Sequence, residues 1–142
     1  DQIEGMIKTA IGVTAPEITW QEEGVEMKLS DLSLAQNYVL VFWSTGCSHC
    51  LVEIPNLYDF TSKFSNVKVI AIALEENDGD YFGITKSMTN WIHVLGLEKW
   101  GNKYVKMYDI TSTPTYFVLD ADKKIILKPN TLEELEIFFR GY

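Results

Sequence analysis

Two near-continuous apolar runs organise this chain, Tyr38-Val-Leu-Val-Phe-Trp43 and Val67-Lys-Val-Ile-Ala-Ile-Ala-Leu74. Both are rich in β-branched and aromatic residues and lack polar alternation, which fits parallel strands covered on both faces. Between them Leu51, Ile54, Leu57 and Tyr58 recur at helical spacing in a segment that starts at Cys47. Strand, helix and strand in that order make a βαβ unit with a right-handed crossover. Upstream, residues 17–29 set Gly24 between Ile18-Thr-Trp20 and Val25-Glu-Met27 and predict a short hairpin. Leu29-Ser-Asp-Leu32 reads as a brief helical turn.

Downstream, residues 80–92 place Tyr81, Ile84, Met88 and Trp91 on one helical stripe. Residues 98–108 do the same with Trp100, Tyr104, Met107 and Tyr108, weakened by Gly101. Thr115-Tyr-Phe-Val-Leu119 and Lys124-Ile-Ile-Leu-Lys128 flank Asp120-Ala-Asp-Lys123, a tight-turn sequence, and predict an antiparallel hairpin. Thr131 with Glu134 forms a capping box for a last helix whose Leu132, Leu135, Phe138 and Phe139 face inward. The fold class expected from this order is α/β, a mixed central sheet with helices on both faces.

A chain of 142 residues is expected to form a single domain, 1–142, with residues 1–15 a lead-in or a linker from a removed upstream segment. It opens at Asp1 rather than Met, so a signal, lipid anchor or preceding domain is expected to have been removed. No stretch approaches the roughly 20 apolar residues that cross a bilayer. The net charge of −8, from 12 basic against 20 acidic residues without a basic cluster, argues against nucleic acid as a partner. It suits a soluble monomer.

The two cysteines stand three apart, at Cys47 and Cys50. A disulfide closing so short a loop restrains the unfolded chain little, and two thiols cannot complete a four-coordinate zinc site. The pair therefore points to redox chemistry rather than scaffolding. Cys47 follows an apolar strand and falls at the mouth of a helix, where free N–H groups and the helix dipole favour a thiolate. Cys50, one turn further in, lies within reach of Cys47 and is the more covered. Cys47 is thus the expected nucleophile and Cys50 the resolving thiol. An imidazolium at His49 would stabilise the thiolate. His93, in Trp91-Ile-His-Val94, reads as a structural histidine.

These residues resemble the thioredoxin superfamily, and more closely its TlpA-like/ResA-like branch of bacterial extracytoplasmic thiol–disulfide oxidoreductases. The likeness runs from about Gly12 to Phe139. It is anchored on Ala15-Pro16-Glu-Ile-Thr19, Leu29-Ser-Asp-Leu32, Val41-Phe-Trp-Ser44, Cys47-Ser-His-Cys50, Glu53-Ile-Pro55 and Thr113-Pro-Thr115. It implies a thioredoxin fold, with an N-terminal hairpin and an extra helical insertion before the hairpin that follows Pro114. It also implies that Pro114 is a cis-proline opposite the cysteines, leaving the Thr113 backbone to pair with an extended substrate. Pro55 matches the branch's helix-kinking proline. Trp43 matches an aromatic that either shapes the substrate surface or belongs to the core.

Where thioredoxin carries a buried aspartate on the strand, this chain has Val41. The branch instead places an acid three residues after the second cysteine, and Glu53 stands there. Partly buried, it could relay a proton to or from Cys50, and burial would raise its pKa to suit. Gly46 replaces a tryptophan of thioredoxin beside the substrate, and Ser48-His49 replaces Gly-Pro, with His49 favouring a more oxidising couple. The resemblance implies protein thiol or disulfide substrates, a membrane or periplasmic redox partner, an extracytoplasmic location, and no cofactor or metal beyond the Cys47–Cys50 disulfide. Two rivals are a peroxiredoxin-like peroxidase and a copper-binding module. Ser44-Thr-Gly-Cys47 lacks the proline and threonine arrangement of the first, and the close cysteine spacing argues against the second.

Overall fold

The computed structural model describes residues 8–141. Its strands are β1 (Thr19–Glu22), β2 (Val25–Lys28), β3 (Asn37–Trp43), β4 (Val67–Leu74), β5 (Ile92–Gly96), β6 (Thr115–Leu119) and β7 (Ile125–Leu127). Its α-helices are α1 (Ser48–Thr61), α2 (Tyr81–Thr85), α3 (Lys103–Met107) and α4 (Leu132–Arg140). Short 3-10 turns cover Leu29–Asp31 and Lys99–Gly101.

The main sheet has the order β5-β4-β3-β6-β7, and β1-β2 is a separate antiparallel hairpin turning at Glu23 and Gly24. β3, β4 and β5 run parallel, and β6 and β7 are antiparallel. Every residue of β3 is buried, as its unbroken apolar run requires. Val39, Val41 and Trp43 face α1 and α4, packing with Ile54, Leu57, Leu135 and Phe139. Tyr38, Leu40 and Phe42 face the opposite layer of Ile18, Trp20, Leu29 and Tyr108. Alternation along one strand thus fills two cores.

Turn and cap chemistry match the sequence reading. Asp120 Oδ1 accepts from the N–H groups of Asp122 and Lys124, both at 2.9 Å, which closes the β6–β7 turn. Thr131 Oγ1 accepts from Glu134 N–H at 3.2 Å. The Glu134 carboxylate returns to Asn130 N–H at 2.6 Å, one residue earlier than a capping box predicts. Of the stretch read as a lead-in, residues 1–7 lie outside the described residues. Residues 12–15 run beside β7, with Gly12 N–H donating to Ile125 O at 2.7 Å and Ala15 N–H to Lys123 O at 2.9 Å.

The helix expected over 80–92 is replaced by short α2 and a fifth strand. Ile92, Val94 and Gly96 are buried in alternation, and Ile92–Gly96 pairs in register with Ile70–Leu74. A short apolar run satisfies either period, and pairing with β4 decides for strand. A Cβ on Gly96 would stand 3.1 Å from Ala73 O, so the close approach at the end of β4 and β5 suits glycine. His93 Nε2 lies 2.7 Å from Met88 O, an acceptor, which puts the proton on Nε2. Burial lowers the His93 pKa against the raising effect of that carbonyl.

β3 and β4 end on the same edge, and antiparallel β6 begins there, with Phe42 opposite Thr115. That edge is where open α/β sheets carry their sites. It brings Cys47, Thr113 and Glu75 together from distant parts of the chain.

Candidate active site

Cys47 occupies the N-cap of α1, and its sulfur accepts from Cys50 N–H at 3.1 Å. Serine and aspartate normally fill such a cap; here a thiol takes their place and meets the unpaired amides of the first turn. Both cysteines are free thiols, Cys47 half-buried and Cys50 fully buried. Cys47 Sγ also lies 3.5 Å from Thr113 O.

Their environments drive the two thiols apart. Burial pushes the Cys47 thiol up, but hydrogen bonds from the Cys50 thiol, the Thr113 side chain and the Cys50 and His49 amides together outweigh it. Cys47 therefore ends below the ordinary thiol range. Burial, reinforced by the hydrogen bond to Cys47, pushes Cys50 up to about 12. One sulfur is shifted toward its thiolate and its neighbour is held protonated.

The Thr113-Pro114 peptide bond is cis. Pro114 lines a cleft of about 360 Å³ with His49, Glu53, Thr113, Tyr116, Asn130 and Thr131. On the other side of Cys47, a cavity of about 170 Å³ is bounded by Ser44, Gly46, Leu74, Lys99, Trp100 and Thr113. Thr113 is common to both, and Gly46 is exposed at the rim of the second.

Glu53 stands one turn beyond Cys50 on α1 and is mostly buried, its side chain 17% exposed. Tyr116 O–H donates to Glu53 Oε1 at 2.6 Å, and His49 Nε2 contacts Glu53 Oε2. The exposed His49 ring therefore sits on Glu53, and what this residue gives the Cys47 sulfur is its backbone amide. Burial raises the Tyr116 pKa, as do the hydrogen bond to Glu53 and the charges of Glu53, Cys50 and Cys47, so the phenol stays protonated. Trp43 is fully buried, tilted against Tyr81 with ring centroids 6.5 Å apart, and this places it in the core rather than on a substrate surface. Pro55 lies inside α1, leaving the Leu51 carbonyl without its helical donor.

Two residues escaped the sequence reading. Tyr116 lies two positions beyond Pro114 on β6, so strand alternation puts it on the same side. Glu75 directly follows the apolar run of β4, a charge at the carboxyl end of a central strand, which is itself a signal.

The fold and a thiol pair opposite a cis-proline define a protein of the thioredoxin class. Residues 36–125 match the thioredoxin-like family. The thiol-disulfide oxidoreductase ResA of Bacillus thuringiensis (strain Al Hakam) is 29% identical over 142 residues, covering 94% of this chain and 79% of that protein. The thiol:disulfide interchange protein HelX of Rhodobacter capsulatus is 24% identical over 119 residues, covering 82% of this chain and 66% of that protein. Among solved structures, a domain of a possible thiol-disulfide isomerase from Cytophaga hutchinsonii superimposes with a TM-score of 0.78 at 31% identity, covering 94% of this chain and 92% of that one. The chain belongs to the thioredoxin-like family, within its ResA/TlpA-like branch, and is a protein thiol–disulfide oxidoreductase.

Proposed function

We propose that Cys47 and Cys50 carry a two-electron exchange with disulfides of protein substrates, outside the cytoplasm. The observation that supports this most is the split between an accessible thiol held below its ordinary pKa and a buried one held far above it. The Cys47 thiolate attacks one sulfur of the substrate disulfide, that S–S bond breaks, and the other substrate sulfur leaves as a thiolate. A mixed disulfide joins Cys47 to the substrate. Cys50 then loses its proton and attacks Cys47 Sγ, and the second substrate sulfur leaves. The substrate gains two electrons and Cys47–Cys50 is oxidised; the reverse sequence oxidises a substrate dithiol. The electron pair passes from the Cys47/Cys50 dithiol to the two substrate sulfurs, which leave as thiolates and take up protons.

A thiol near 12 needs a base for the second step. Glu53 is the group for it, three residues from Cys50 and oriented by Tyr116. His49, paired with the same carboxylate, is the route by which that proton reaches solvent. The Thr113 backbone, beside Cys47 and next to cis-Pro114, docks the extended substrate segment, with Gly46 leaving the opposite rim low. No helix among the described residues is long and apolar enough to cross a membrane. The extracytoplasmic setting rests on the ResA and HelX relatives.

Glu53→Gln keeps the Tyr116 contact but cannot take a proton. Stopped-flow exchange should show normal formation of the mixed disulfide and resolution slowed about 100-fold near pH 7, the scale of general base catalysis. Tyr116→Phe should slow the same step less. Equal resolution rates in wild type and Glu53→Gln would remove the relay from the account.

A further inference from the structure

We infer that Glu75 positions the nucleophile, acting through the Ser44–Gly46 loop rather than on the sulfur itself. This rests on reading Cys47 as the attacking thiol. Glu75 sits just beyond β4 and is 5% exposed. Its carboxylate accepts from Thr45 N–H at 2.9 Å, from Thr45 Oγ1–H at 2.8 Å and from Ser44 Oγ–H at 3.2 Å. Three donors from two adjacent residues converge on one buried acid, and hydrogen bonds to a charged acceptor are the strong ones.

The acid is itself fixed. Glu75 N–H donates to Gly96 O at 2.9 Å, and its own carbonyl accepts from Lys99 N–H at 3.1 Å. The clamp is therefore tied to β5 and the turn after it. Its charge is felt at Tyr81, whose phenol is pushed up to about 12 by burial and then by Glu75.

From the clamp the connection runs directly to the cysteines. Ser44 Oγ accepts from Gly46 N–H at 3.1 Å, and Ser44 O accepts from Cys47 N–H at 3.2 Å. The Ser44 backbone also hydrogen-bonds Cys50. Of the bonds that lower Cys47, the Cys50 thiol and Thr113 give the larger part, and those from the Cys50 and His49 amides exist only while Cys47 holds the N-cap position. A cap whose side chain is a reactive sulfur needs its preceding loop held still, because every ångström of drift removes thiolate stabilisation. Glu75 supplies that restraint from 28 residues downstream in the sequence (75 against 47).

Two effects of Glu75 have opposite signs, which makes the test decisive. Acting as a charge near a thiolate, it would raise the Cys47 pKa, so its removal would speed exchange at low pH. Acting as a clamp, it keeps the pKa low, so its removal slows exchange at low pH. The experiment follows the rate of the reduced protein with a small aromatic disulfide from pH 5 to pH 9, for wild type, Glu75→Gln and the double variant Ser44→Ala/Thr45→Val. The glutamine retains one acceptor but turns an N–H₂ toward the remaining donors. The double variant removes both hydroxyl donors and leaves the acid in place.

The expected result is a rate at pH 6 about tenfold below wild type for Glu75→Gln, converging with wild type near pH 9 where the thiol ionises in both proteins. The double variant should shift the same way. A Glu75→Gln rate at pH 6 equal to or above wild type overturns the proposal, as does a lowered melting temperature with an unchanged pH profile. If Glu75→Gln does not fold, the double variant decides, and an unmoved profile there overturns it. The underlying assignment is read separately, since peptide mapping of wild type after limited alkylation would find Cys50 labelled first if Cys47 were not the nucleophile.

Discussion

Cys50→Ala should accumulate a covalent adduct with a protein disulfide, whereas Cys47→Ala should form none. In Cys50→Ala the half-buried Cys47 sulfur retains the helix-mouth amides of positions 50 and 49, and a mixed disulfide formed on it has no resolving thiol. In Cys47→Ala the remaining thiol is fully buried, and burial is the larger of the causes that hold it near 12. The variant removes the Cys47 hydrogen bond and charge that add to this rise, but burial still raises the Cys50 pKa and shields the sulfur, so attack should be slower than wild type by about 100-fold or more. Non-reducing electrophoresis of each variant mixed with an oxidised protein reads the result. Adducts on Cys47→Ala but not on Cys50→Ala would reverse the two roles.

Trp43→Ala should destabilise the protein by about 3–5 kcal/mol without first affecting substrate recognition. Trp43 has no exposed surface, closes the carboxyl end of β3 and packs among Ile54, Tyr81 and Met88. Its Nε1–H is buried with no partner among the described residues, so part of the loss on truncation is offset by removing an unsatisfied donor. Trp43→Phe keeps much of the ring packing and removes that donor, and its cost should stay near 1 kcal/mol. Urea unfolding of both variants measures this. If Trp43→Ala keeps wild-type stability and raises only the KM for a protein substrate, the residue belongs to the docking surface instead.

Much of this architecture is written locally. The unbroken apolar runs at 38–43 and 67–74 specify strands buried on both faces, and the structure places β3 and β4 on them. Cys47 at the strand-to-helix junction could be read as an N-cap because capping is decided within four residues. The Asp120 turn and the Thr131 cap follow from equally short-range chemistry.

What escaped the sequence depends on pairing across distance. Residues 92–96 carry no periodicity that separates strand from helix, and their state is set by β4 some twenty residues earlier. The partners of Glu53 show the same limit. Its position after Cys50 was legible, but the Tyr116 hydroxyl that orients it comes from 63 residues away. His49 was read as a cation for the neighbouring thiol; one helical turn brings its ring onto Glu53 instead. Glu75 drew no reading from the sequence, because the three donors aimed at it come from a loop some thirty residues earlier in the chain.

The most direct test of the central claim is limited alkylation of the reduced wild-type protein across a pH series, with each cysteine followed by mass spectrometry. Cys47 should be labelled far ahead of Cys50 and reach half its maximal rate below the pH of a free thiol, while Cys50 stays unlabelled up to pH 9. Equal labelling of the two, or a Cys47 profile like that of an unperturbed cysteine, would contradict it.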